Sequence, residues 1–223
     1  MDSKRVLRAS AIAGVVAAIL ILVGSILSYT GIPEFDADAA AWAAWAEREE
    51  LTIELGVYVL LVPGLLLFLC MFAGLAGLLP ANAISTRLAG YGAVAFFVFF
   101  AAAGVLSSTS ASTFGFFGVF DDPTAVTVFT GVSAGYHLQG IAAWSLAMTM
   151  LAAAVGLRNA AVISSPLYVG SIVLAVLTVA ASQLGIGVMF CLVWMPVVSI
   201  WLLRWTPSRS AAIDPIADAR PSY

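Results

Sequence analysis

Charge is what this sequence has least of. Asp, Glu, Lys and Arg make up 9% of its 223 residues, against roughly 25% in soluble domains. With 62% of residues hydrophobic and a mean hydropathy of +1.07, a fold of this size could not cover itself with polar surface. Lipid must take that role, as the bilayer does for apolar spans of about 20 residues. The formal charge of −3 and a pI near 4.9 exclude the basic footprint of a nucleic-acid binder.

Histidine and cysteine are nearly absent too. His137 is the sole histidine, so no structural zinc site can be assembled around it. Cys70 and Cys191 both lie inside apolar stretches, where a small buried hydrophobe is the expected role and a disulfide framework is not. From Leu60 to Leu79, Leu88 to Leu106 and Ile163 to Leu203, no Asp, Glu, Lys, Arg or His occurs. Ionisable groups inside spans are where ion and proton coupling reside. Their scarcity argues against carboxylate-coupled transport and intramembrane metalloproteases. No signature of a cofactor site is present, and none is expected.

What is present is a series of apolar segments at about 9–30, 54–79, 88–106, 125–157, 162–182 and 186–204. They are continuous runs, which spells helices and not barrel strands. The first could be a signal peptide, given Lys4, Arg5 and Arg8, but its apolar run is long and no cleavage site follows, so it reads as an uncleaved span. The last two would reach ~57 Å as one helix, nearly twice the ~30 Å hydrocarbon core, which predicts a hairpin at Gly185 and Gly187. The expectation is an all-α, polytopic six-helix transmembrane bundle over residues 1–205. A short disordered cytoplasmic tail, 206–223, follows it.

Charge placement supports the count. With the N-terminus inside, Lys4, Arg5, Arg8, Arg87, Arg158, Arg204, Arg209 and Arg220 fall on the cytoplasmic side, leaving only Arg48 outside. That bias orients membrane proteins with both ends in the cytoplasm.

Two loops then lie outside. In the first, 31–53, Asp36 or Asp38 caps a helix that the alanines propagate, and no Gly or Pro interrupts until Gly56. An arm running straight into the second span is expected. Trp42, Trp45, Glu49 and Ile53 share one of its faces, and the tryptophans read as an aromatic belt at the lipid headgroups. Glu47, Glu50 and Glu54 share another, which reads as a solvated acidic face, with a site for a hard cation such as Ca²⁺ as the alternative. The second loop, 107–124, is Ser/Thr-rich, then aromatic, and closes on Asp121-Asp122-Pro123. A helix from there to Arg158 would be ~53 Å long. It must tilt, break near Gly131 and Gly135, or project beside the arm. Pro63 and Pro196 should kink their spans. Gly74 with Gly77, Gly90, Gly131 with Gly135 and Gly185 with Gly187 read as close helix contacts.

The candidate site residues follow from depth. Glu54 and His137 both fall near the outer boundary of the hydrocarbon, where with Tyr58, Tyr136, Gln139 and Gln183 they could line an outward-facing polar pocket. Gly131-Val132-Ser133-Ala134-Gly135 matches Gly-x-Ser-x-Gly, with His137 one turn on. The strand-turn-helix setting that a nucleophile elbow needs is missing, so a Ser133/His137 hydrolase is a remote reading.

The basic start Lys-Arg-Val-Leu-Arg, the Trp-bearing acidic loop and the following Gly-Val-Tyr-Val-Leu-Leu-Val-Pro-Gly-Leu-Leu-Leu resemble uncharacterised bacterial six-helix integral membrane families. The resemblance implies a multi-pass protein of the bacterial plasma membrane and supplies no catalytic residues. Two functions remain open. One is a non-enzymatic accessory protein that packs against itself or a membrane partner. The other is a small transporter or ligand-binding protein using the pocket around Glu54 and His137.

Overall fold

The computed structural model describes residues 3–34, 36–111, 125–184 and 186–205. The expected tail at 206–223 and most of the 107–124 loop fall outside them. The described residues form helices joined by short turns: α1 (Ser3–Ser28), α2 (Ala39–Glu54), a π-helical segment (Leu55–Leu61), α3 (Val62–Ala76), α4 (Ile84–Ala111), α5 (Ala125–Asn159), α6 (Ser165–Ala180) and α7 (Cys191–Arg204). Two 3₁₀ turns, Ser182–Leu184 and Gly187–Phe190, join the last pair.

Five helical stretches are long and apolar enough to cross a membrane: Lys4–Ser28, Ala40–Ala76, Ile84–Ser108, Val128–Asn159 and Gly187–Arg204. The remaining apolar segment, 162–182, yields only α6, whose 16 residues reach about 24 Å. The chain does reverse after it. Trp194 Nε1 on α7 donates to Ser171 Oγ on α6 at 3.1 Å, whereas one unbroken helix would hold those residues about 35 Å apart. At the reversal a Cβ on Gly187 would stand 2.5 Å from the Thr178 carbonyl, so only glycine lets the turn press against α6.

With α2, the π segment and α3 taken as one continuous stretch, successive helices alternate in direction. The bundle therefore has a terminal end, carrying Ser3 and Arg204, and an arm end, carrying α2. Small residues set how closely the helices approach. Ser10 lies against Gly74, and Ser199 Oγ occupies the space beside Gly14. Gly92 on α4 faces the backbone and hydroxyl of α5 at Ser145 and Thr149, and Gly135 on α5 faces Ser107 and the Ala103 carbonyl on α4. Gly24 on α1 and Gly56 in the π segment meet backbone to backbone, each carbonyl within 2.8 Å of where the other's Cβ would be. Of the glycines that the sequence nominates, Gly74, Gly135 and Gly187 make such contacts. Gly77 meets only its own helix, and Gly90 has nothing within 4 Å, because it points away from every neighbour.

The arm is helical as expected and continues without a break into the next span. Asp38 is its cap, Oδ1 accepting from the Ala41 N–H at 2.8 Å. Asp38→Ala should cost about 1 kcal/mol, read as faster hydrogen exchange at the first turn of α2 with exchange in α4 unchanged. The expected kink at Pro63 takes another form. The preceding residues widen into a π helix in which Val62 N–H bonds the Val57 carbonyl. Such a turn gives room to a proline ring that would otherwise strike the carbonyl one turn back. Pro196 lies inside α7.

The tryptophans of the arm are not a headgroup belt. Trp42 and Trp45 are each 2% exposed and form a small second core with Ala46, Ile53, Val128 and Val132. The reason is the length of α5. Its 35 residues do not break near Gly131 or Gly135 but extend beyond the main bundle, giving the arm an apolar face to cover. Trp42 meets Trp45 and Phe129 edge-on, at 6.0 and 5.6 Å between centroids.

Candidate functional site

Because α1 stops at Ser28 and the α6–α7 reversal is short, the arm end is not filled by side chains. A cavity of about 320 Å³ lies there, lined by α1 (Leu22, Ser25, Ile26), Tyr29 and Ile32 just beyond it, Phe100 of α4, Val132, Tyr136 and Gln139 of α5, and Leu184, Ile186 and Met189 of the reversal. That volume is at the lower end of the ~300–1,000 Å³ usual for small-molecule sites, and the apolar wall with a few polar groups is their usual chemistry.

The polar groups lie toward the interior. Gln139, 8% exposed, donates from Nε2 to the Tyr29 hydroxyl, which also has a hydrogen bond with the Ser107 side chain. Ser107 in turn donates to the Ala103 carbonyl at 2.9 Å. Ser25 is different. It is 5% exposed, and its Oγ is buried with no hydrogen-bond partner. Among the described residues, none of the lining side chains is an Asp, Glu, Lys, Arg or His.

The rim is exposed and apolar. Leu22 and Ile26, one turn apart on α1, face outward, as do Leu184, Ile186 and Met189 across the opening. The mouth thus opens at the side of the bundle and not along its axis. Ile32 roofs the cavity, and it also packs against the Trp42/Trp45 core, so roof and arm are one piece of structure. Gly31 turns the chain there with φ +67°, a conformation that favours glycine. Trp45 Nε1 holds the turn by donating to the Thr30 carbonyl at 2.9 Å.

Of the residues that the sequence nominates, Tyr136 and Gln139 line this cavity. Tyr58 does not; its hydroxyl accepts from Ser108 Oγ at 3.1 Å, between the π segment and α4. Glu54 is half-buried at the end of α2 and is not a lining residue. His137 is exposed, edge-on to Tyr136, and stands about 180° of helix rotation from Val128, which the arm covers. Glu54 and His137 are therefore not brought together around the cavity. The Gln183 side chain lies outside the described ones.

The acidic stripe has Glu47 exposed and Glu50 and Glu54 half-buried. Among the described residues no three His, Cys, Asp or Glu side chains are grouped to hold an ion, because the stripe's carboxylates follow one another along a single helix. Glu49 pairs with the neighbouring Arg48 at 2.9 Å. Ser133 is half-buried with no hydrogen bond to His137, and the second glycine of its motif is the one packed on Ser107. Cys70 is exposed, contrary to the expected burial, while Cys191 is buried.

The other lining residues were missed in the sequence, Ser25, Tyr29 and Ile32 among them. Ser25 and Tyr29 carry a faint signal, as polar groups near the end of an apolar run. A second depression, about 490 Å³ between α5 and α6, is lined by Trp144, Met148, Leu151 and Val176 among others, with no hydroxyl or amide side chain to orient a ligand. Comparison with protein-family models, with curated proteins and with solved structures gives no match.

Proposed function

We propose that the chain spans a bacterial plasma membrane six times, with both termini inside and the arm outside, and binds a small, mostly apolar molecule in the arm-end cavity without altering it covalently. The sorting of basic residues supports this orientation, and the α6–α7 reversal supports a sixth, short pass. The observation that carries the binding reading is Ser25. A buried hydroxyl without a partner costs about 1–3 kcal/mol, and Ser25 is a lining residue of a cavity of ligand size. A bound molecule with one acceptor or donor would offset that cost.

The test uses the full chain in lipid nanodiscs with photoactivatable alkyl probes of neutral, anionic and cationic head. Saturable adducts on 22–32 and 132–139 for at least one probe are expected. Adducts that never saturate, spread evenly over outward-facing residues such as Val94 and Val173, would reject the cavity as a binding site.

A further inference from the structure

We infer that the ligand is a neutral amphiphile, a lipid-like molecule with a hydroxyl or carbonyl head, and that it reaches the cavity sideways from the bilayer. The inference rests on the cavity being a binding site. Its first support is the wall. Among the described residues none of its side chains is charged at neutral pH, and an ionised head without a counter-charge in such a place is strongly disfavoured.

The second support is the set of polar groups. The Gln139 amide and the Tyr29 hydroxyl are joined by a hydrogen bond, whereas Ser25 Oγ has no partner and is open to a new one. A hydroxyl can donate to a carbonyl or ether and can accept from an alcohol. One such contact suits a head with a single oxygen function and does not suit a sugar or a phosphate.

The third is the mouth. Leu22, Ile26, Leu184, Ile186 and Met189 are 36–69% exposed, a sill of large apolar side chains that a water-soluble ligand would not need. Ser25 stands 21 residues along α1 from Lys4, on the order of 30 Å. That is the thickness of the hydrocarbon core, so the head would rest at the depth of the lipid ester groups while its chain lay beside the sill.

The experiment compares three diazirine probes with the same alkyl chain and different heads: a primary alcohol, a carboxylate and a trimethylammonium. In nanodiscs the alcohol should label 22–32 and 132–139 saturably, and the charged probes at least about 10-fold more weakly. Ser25→Ala should lower the alcohol's apparent affinity about 3- to 10-fold, as for one lost hydrogen bond. Ile26→Trp, which blocks the sill, should remove the labelling, and Val94→Trp, on the outward face of α4, should leave it intact. Equal labelling by all three heads would overturn the ligand class while the binding site stood. Full labelling of the Ile26→Trp protein would overturn lateral access, and no saturable labelling by any probe would remove both the site and this inference.

Discussion

Gly56→Ala should lower the stability of this protein by up to about 2 kcal/mol, whereas Gly90→Ala should leave it unchanged or raise it by up to about 1 kcal/mol. Glycine to alanine inside a helix is ordinarily a gain of about 1 kcal/mol, since it removes backbone freedom from the unfolded chain. Both substitutions carry that gain, so their difference isolates the contact. At Gly90 the new methyl meets nothing within 4 Å. At Gly56 it would lie 2.7 Å from Ser28 Oγ, 2.8 Å from the Gly24 carbonyl and 2.9 Å from Ser28 N. Ser28 Oγ cannot swing aside freely, because it donates to that same Gly24 carbonyl at 2.7 Å. The other two atoms are backbone of α1. Relief requires α1 and the π segment to separate, with the overpacking cost of about 1–3 kcal/mol or more that such shifts carry. Unfolding in mixed micelles of rising denaturing-detergent fraction measures both variants, and equal midpoints would refute the backbone crossing.

Trp45→Ala should detach the arm. Truncating a buried tryptophan costs about 3–5 kcal/mol, and Trp45 is 2% exposed, edge-on to Trp42 and bonded to the Thr30 carbonyl. The core it belongs to is small, so the loss exceeds what Ala46, Ile53 and their partners can retain. Hydrogen exchange over 39–53 should accelerate at least about 100-fold, the equivalent of roughly 3 kcal/mol of local opening. Amides of α4 and α5 in the main bundle should be unaffected. Trp45→Phe keeps the ring and removes only the N–H, so a step near 1 kcal/mol is expected. Uniform acceleration along the whole chain would show that the arm is not a separate unit of stability.

The contrast between these two sites explains what could be read beforehand. Apolar run length and helix propensity are local properties. They located α1, the arm and the reversal after α6, and narrowed the cap of the arm to Asp36 or Asp38, of which Asp38 is the one that caps. The face shared by Trp42, Trp45 and Ile53 was also visible in the 100° repeat, but not what it faces. Its burial depends on how far α5 projects, a matter between two elements. The cavity belongs to the same class. Tyr136 and Gln139 drew notice as polar residues at the right depth, while Ser25 looked like one more small residue in an apolar run. That its hydroxyl is an orphan depends on how the neighbouring helices pack around α1, which the run itself does not carry. His137 drew notice by being unique, and uniqueness says nothing about the direction in which a side chain projects.

The π segment at Leu55–Leu61 gives the stretch from Ala40 to Ala76 a property that neither half has alone. Below it, Leu65, Phe68 and Met71 are buried in the main core, Phe68 against Phe96 of α4 at 5.0 Å. Above it, Trp42 and Trp45 face α5. A rod with one uniform winding fixes the angle between two such faces by residue count alone. Seven residues at a wider winding release that constraint, so the segment is a torsional joint set into an otherwise stiff shaft. Its angular offset decides where the Thr30–Ile32 turn is held and, through Ile32, the height of the ceiling under which a guest molecule would lie.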